Sequence, residues 1–119
     1  MKEDTLLPER YKYGNCLERI EQCGNNPDKI KNALLAILQL GRECYNRGAE
    51  FEYDALCYFE FVLEQATVVE NDTLCHRPGL EDVAREAYED NASLASCDSD
   101  YVWEKSAMVR MKYKALFEK

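Results

Sequence analysis

The residues of this chain best suited to chemistry are its carboxylates, its six cysteines and a single histidine, His76. Glu60 and Glu64 stand one helical turn apart, and Glu86 and Glu89, with Asp90, do the same in a later segment. Two such groups facing each other across a helix pair would hold Mg²⁺ against a nucleotide's phosphates, because hard cations select carboxylate oxygens. His76 follows Cys75, and adjacency along the chain is not the geometry of a nucleophile and its base. The same pair would be half of a metal site only with further ligands that the sequence does not mark, so a structural role is expected and no metal site is assigned. The five glycines are scattered, so no phosphate-cradling loop is present. Glu-x-x-His is absent too, which excludes ferritin-type iron ligation. Acids three and four residues apart are also the ordinary decoration of a wet helix face. The expectation is a protein that is not an enzyme and carries no cofactor.

The cysteines, at positions 16, 23, 44, 57, 75 and 97, are widely and irregularly spaced, and no C-x-x-C pair suggests zinc or a redox motif. Cys16 and Cys23 lie two turns apart along one helix face, and Cys44 and Cys57 flank a helix–helix turn. They are expected as free thiols serving as small apolar residues. Nothing at the start, Met1-Lys2-Glu3-Asp4-Thr5, resembles a signal peptide, and no apolar run approaches the length of a membrane span. A cytoplasmic setting without membrane contact is expected.

These groups must be positioned by helices. With 119 residues, 46% of them apolar, the chain can bury a core of its own. Residues 1–13 read as a loosely packed tail. Asn15 and Glu18 form a capping pair for a short helix with Leu17 and Ile20 on one side and Gly24 as its stop. Asn26-Pro27-Asp28 opens the next helix, whose apolar positions Ile30, Ala33, Leu34, Ile37, Leu38, Gly41 and Tyr45 recur at three- and four-residue steps until Gly48. A third helix, the most apolar and therefore central, carries Ala55, Tyr58, Phe59, Val62, Ala66 and Val69, with Leu56, Phe61 and Leu63 on other faces, and stops at Asn71-Asp72-Thr73. Arg77-Pro78-Gly79 marks a turn. Val83, Ala84, Ala87 and Tyr88 give a fourth apolar edge, which Leu94 extends if the helix survives Asn91 and Ser93. Val102, Ser106, Val109, Tyr113 and Leu116 line a last helix capped by the polar run 96–100. No segment alternates with period two for long. The fold class expected is an all-α, single-domain helical bundle of four to five helices over residues 1–119.

The net charge of −8 conceals a steep gradient. Residues 1–42 hold seven bases and six acids, residues 43–104 three bases and sixteen acids, and residues 105–119 five bases and one acid. The acidic middle works against compactness and would be relieved by a basic partner. Asp98 and Asp100 at the start of the last helix, with Lys112, Lys114 and Lys119 toward its end, complement its dipole, and that helix would also neutralise the middle by docking on it. The candidate partner-binding residues are Glu50, Glu52, Asp54, Glu60 and Glu64 on or near the third helix, and Glu81, Asp82, Glu86, Glu89 and Asp90 on the fourth. If those faces adjoin, they make a sheet of carboxylates suited to a Lys/Arg-lined groove, with Tyr53 or Tyr88 as anchors. Direct binding of nucleic acid is disfavoured by the same charge.

Three resemblances bear on function. Leu40-Gly41, then Gly48, then Ala55-Leu56-Cys57-Tyr58-Phe59-Glu60-Phe61-Val62-Leu63-Glu64 resembles the helical hairpin of a tetratricopeptide repeat in its small, aromatic and Leu-Glu positions. Between Gly48 and Ala55 the chain runs two residues long for that family, and no second copy follows at the expected period. This likeness implies an adaptor or chaperone gripping a peptide. The paired acids look like those of all-α nucleotide pyrophosphatases, without the doubled-acid motif or the Lys/Arg set, and imply a Mg-dependent nucleotide hydrolase. In size and acidity the chain is similar to immunity proteins against nuclease toxins and to phage-encoded anti-restriction and anti-CRISPR inhibitors. That similarity implies an inhibitor, a DNA mimic among them, occupying the basic surface of a nuclease or nucleic-acid-binding complex. The inhibitor reading is favoured, with the protein itself a monomer or homodimer.

Overall fold

The computed structural model describes residues 13–97 and 99–118, with side chains from Cys16 onward. Asp98, Lys119 and the segment 1–12 lie outside the described residues, and with them most of the expected tail and two of the expected dipole-compensating charges. The described chain forms five α-helices: α1 (Tyr13–Gln22), α2 (Pro27–Arg47), α3 (Glu52–Ala66), α4 (Glu81–Ser93) and α5 (Asp100–Phe117). A two-stranded antiparallel hairpin, β1 (Thr67–Glu70) and β2 (Thr73–His76), interrupts them, and short 3₁₀ turns cover Ala49–Phe51 and Leu94–Ser96. The architecture is an all-α helical bundle, as the periodicity predicts.

Local signals explain most boundaries. The Asn26 side chain accepts hydrogen bonds from the backbone N–H groups of Asp28 and Lys29, at 3.0 and 3.1 Å, and Pro27 occupies the first turn of α2. Ser99 caps α5 by accepting from the Val102 N–H at 3.3 Å, and Asp100 lies in the first turn, where the dipole favours it. Asn15 is not the cap of α1, since that helix already runs from Tyr13. Its inward side is Cys16 and Ile20, whereas Leu17, expected inside, is 43% exposed. On α2 the stripe closes on buried Cys44 instead of Tyr45, which faces out.

The central helix ends three residues earlier than its apolar spacing suggests. At Ala66 the chain leaves the helix and enters the hairpin, in which Thr67 pairs with His76 and Glu70 with Thr73. Asn71 and Asp72 both take positive φ, 53° and 62°, the backbone of a two-residue turn whose twist matches that of the strands. Thr67, Val68, Val69 and Thr73 are β-branched and suit the pleat. Val69 is consequently exposed instead of extending the helical core face. The Arg77 N–H donates to the Ala66 carbonyl at 2.9 Å, which closes the hairpin's base and returns the chain to the end of α3.

α3 is wrapped by α2, α4 and α5. Ala55, Leu56, Tyr58, Phe59, Phe61, Val62, Leu63 and Ala66 are all buried, which leaves an open strip along Tyr53, Cys57, Glu60 and Glu64, with Glu52, Asp54 and Gln65 half-buried to either side. α4 runs through Asn91, which is buried instead of ending the helix. Its amide donates to the Ser106 carbonyl at 3.2 Å, and the Ser106 hydroxyl donates to the Asn91 carbonyl at 2.8 Å. This reciprocal pair sets the register of α4 against α5, because any slip leaves buried polar groups without partners.

α2 approaches α3 closely at Gly41. A Cβ there would meet Phe59 Cε1 at 2.7 Å and Tyr58 Cβ at 3.1 Å. Phe59 is buried and has nowhere to retreat. Gly41→Ala should therefore lower the stability by about 1–3 kcal/mol through overpacking, despite gaining about 1 kcal/mol of helix propensity. The urea unfolding midpoint reads this directly; an unchanged or higher midpoint would show that the α2–α3 contact is slack.

Candidate functional site

The ten acids proposed as contacts fall into three places. Glu50 is exposed in the 3₁₀ turn before α3, and Glu52 and Asp54 are half-buried in the first turn of that helix. Burial raises the Asp54 carboxyl above its ordinary range. One oxygen of Glu52, Oε1, is buried with no hydrogen-bond partner.

Glu60 borders a groove of about 320 Å³ between α3 and α5, lined by Tyr53, Leu56, Cys57, Glu60, Lys105, Met108, Val109 and Lys112. Burial raises the Glu60 carboxyl above its usual range, and neighbouring Glu64 adds to this, while Lys112 and Lys105 pull the other way. The basic last helix thus lies along the acids of α3, as the charge gradient suggests. Glu64 also lies close enough to Tyr113 to help hold its phenol protonated; with burial as the larger cause, that group is pushed up to about 12.

The third place is α4. Glu81, Asp82 and Glu89 are exposed, while Glu86 and Asp90 turn toward α2. There Arg42 reaches both: its Nη2 donates to Glu86 Oε1 at 3.0 Å and its Nε to Asp90 Oδ2 at 2.6 Å. Burial raises the Asp90 carboxyl above its ordinary value even though Arg42 opposes the shift. The acids of α3 that flank the groove and the acids of α4 held by Arg42 therefore belong to different helix contacts.

Of the two aromatic anchors, Tyr53 is exposed and Tyr88 is not. The Tyr88 ring stacks on Phe117 with centroids 4.6 Å apart, and its hydroxyl donates to Glu118 Oε2 at 2.5 Å. Desolvation and Glu118 push its phenol up to about 12. Phe117 also takes the edge of His76 at 5.2 Å and the Arg85 guanidinium at 5.5 Å, so it joins α5, α4 and the hairpin.

Among the described residues no three His, Cys, Asp or Glu side chains gather as a metal site. The six cysteines are free thiols, and burial pushes Cys44 up to about 11, so it is not a thiolate at neutral pH. Among the described residues no helix is long and apolar enough to cross a membrane.

Residues missed in the sequence are Arg42, which ties α2 to α4, and the outward side chains of α5: Tyr101, Trp103, Met108 and Met111. The second set had a signal. Tyr101, Met108 and Met111 repeat at seven and three residues beside the inward series Val102, Val109 and Tyr113.

Asp54, Glu60 and Asp90 all hold their protons more tightly when folded than an exposed carboxyl does. The native state then binds more protons than the unfolded chain as pH falls into the carboxylate range, and stability rises until the unfolded groups are protonated as well. The thermal midpoint should be higher near about pH 5 than at about pH 7.5. Arg42→Ala should enlarge the rise by removing the group that opposes protonation of Asp90. A midpoint that falls over this window would mean that these carboxyls are stabilised as anions.

No protein-family model matches the chain, and no similar protein was found among the curated sequences or the solved structures.

Proposed function

We propose that the protein acts by stoichiometric binding, with the acidic face of α4 occupying a basic surface on a partner protein that otherwise holds nucleic-acid phosphates. The observation that carries this reading is the open side of α4. Glu81, Asp82 and Glu89 stand exposed there, with half-exposed Glu86 beside them, inside a segment holding sixteen acids and three bases. These four acids span about 12 Å of helix at 1.5 Å per residue, and the helix is held rigid by Asn91 on its inner side and Arg42 at its edge. A rigid array of charge costs little to order on binding and steers a basic partner at long range. The fitting partner is a nuclease or nucleic-acid-binding complex, and the fitting role is that of an inhibitor of the immunity, anti-restriction or anti-CRISPR kind. A cytoplasmic setting suits six unpaired thiols.

The groove between α3 and α5 favours a second reading, the helical-hairpin adaptor that grips a peptide. Apolar Leu56, Val109, Tyr53 and Met108 line the groove, together with charged Glu60, Lys105 and Lys112. Salt separates the two, since a groove binder tolerates it while a carboxylate face loses affinity steeply.

The test is capture from the native host's lysate at low salt, elution along a salt gradient and identification by mass spectrometry. The captured protein is then assayed for nucleic-acid binding with and without this one. A basic nucleic-acid-binding protein released at moderate salt, and competed from its nucleic acid, is the expected result. Glu81→Lys, Asp82→Lys and Glu89→Lys together should weaken capture by more than about tenfold. These positions leave the Arg42 pairs intact, so the helical circular dichroism should be retained, with a lower thermal midpoint because Glu81→Lys and Asp82→Lys oppose the α4 dipole. A partner retained through high salt, or by the triple variant, would overturn the reading.

A further inference from the structure

α5 carries two apolar seams. The inward one, Val102, Ser106, Val109 and Tyr113, is buried against the bundle. The outward one runs Tyr101, Glu104, Met108, Met111, Ala115, the alternating three- and four-residue spacing of a helix that packs along a second helix. Most of it stays open in the described chain: Met111 is 78% exposed, Met108 61% and Tyr101 55%. Two large flexible thioethers and a phenol side by side on a solvent face are an unusual outlay of apolar surface for a chain with 32% charged residues. Tyr53 of α3 extends the surface, its ring 5.7 Å from that of Tyr101, and Lys105 lies over Tyr101 at 5.6 Å.

The charges on this seam are arranged in a self-complementary way. An antiparallel copy of α5 with Met108 on the two-fold axis sets Met108 against its equivalent and Tyr101 against Ala115, a large residue against a small one. The same register sets Glu104 against Lys112 of the other copy, twice by symmetry. Lys105 falls opposite Met111, where its aliphatic stem covers the thioether and its ammonium reaches water. No two like charges of the seam face each other. A two-fold interface of this kind closes on itself and leaves no open end for further association.

We propose that a second copy of this chain covers the outward seam, giving an antiparallel, two-fold α5–α5 homodimer centred on Met108. Its contact set lies apart from Glu81, Asp82 and Glu89, so it neither rests on the acidic-face reading nor falls with it. A peptide in the α3–α5 groove would compete with it for Met108 and Lys112.

Sedimentation equilibrium of the full chain, from low micromolar to submillimolar concentration, tests the idea. The mass is expected to rise from 13.8 kDa toward twice that value. Glu104→Lys places Lys against Lys at both symmetric contacts, and Lys112→Glu places Glu against Glu. Each should weaken dimerisation by about tenfold or more, and the double swap should return it to within about threefold of wild type. Both side chains are exposed, and helical circular dichroism checks that Lys112→Glu, which also removes a cation beside Glu60, leaves the fold intact. Met108→Glu, at the axis, should leave a monomer. A wild-type monomer at every concentration would overturn the proposal and leave the seam to a peptide or another partner. A dimer indifferent to both single swaps, or a double swap no better than the singles, would place the interface elsewhere.

Discussion

The burial of α3 on nearly all sides is the constraint from which the rest of the structure follows. A helix carrying Leu56, Tyr58, Phe59, Phe61, Val62 and Leu63 has no polar face wide enough for water, so it needs three neighbours instead of one. α2 supplies one, since Gly41 lets it approach the Phe59 ring directly. α4 and α5 supply the others and are locked to each other by Asn91 and Ser106. The strip of α3 left open is the one that carries Glu60 and Glu64, and there Lys105 and Lys112 of α5 come alongside.

That packing divides the acidic charge into two kinds. Carboxylates at helix contacts are partly neutralised by internal cations, Glu86 and Asp90 by Arg42 and Glu60 by the lysines of α5. Those on the outer side of α4 are exposed and form no ion pair among the described residues. The first kind is part-buried at helix contacts, where Glu60 and Asp90 carry a desolvation cost that the lysines and Arg42 only partly offset. Of the second kind, Glu81 and Asp82 lie in the first turn of α4, where the dipole favours them, while Glu89 adds self-repulsion with no such return. The α5 surface shows the same division with apolar groups: Val109 and Tyr113 are buried in the bundle, while Met108 and Met111 stand mostly exposed.

Much of the fold is legible along the chain because its signals are local. Asn26-Pro27 and Ser99-Asp100 cap helices through their own backbone neighbours, and the steps from Ile30 to Gly41 or from Val83 to Tyr88 mark a face whatever lies opposite. The hairpin is legible only in part. Asn71-Asp72 with β-branched flanks is a turn signal, but Val62, Ala66 and Val69 also fit a helix, and four-residue strands are too short for period two to stand out. The turn and the hydrogen bond from Arg77 to Ala66 decide it.

The sequence by itself determined the helical class, the order of the segments, the central place of α3 and the concentration of acid between residues 43 and 104, since composition and periodicity are properties of the chain alone. Only the tertiary structure decided that Cys16 faces inward and Leu17 outward, that Asn91 is buried, that Tyr88 lies under Phe117, and which carboxylates meet Arg42 or the lysines of α5. Each of these depends on how far one helix is rotated about its axis relative to the next. Long-range packing sets that rotation, and residues tens of positions apart, such as Arg42 and Asp90, are what reads it out.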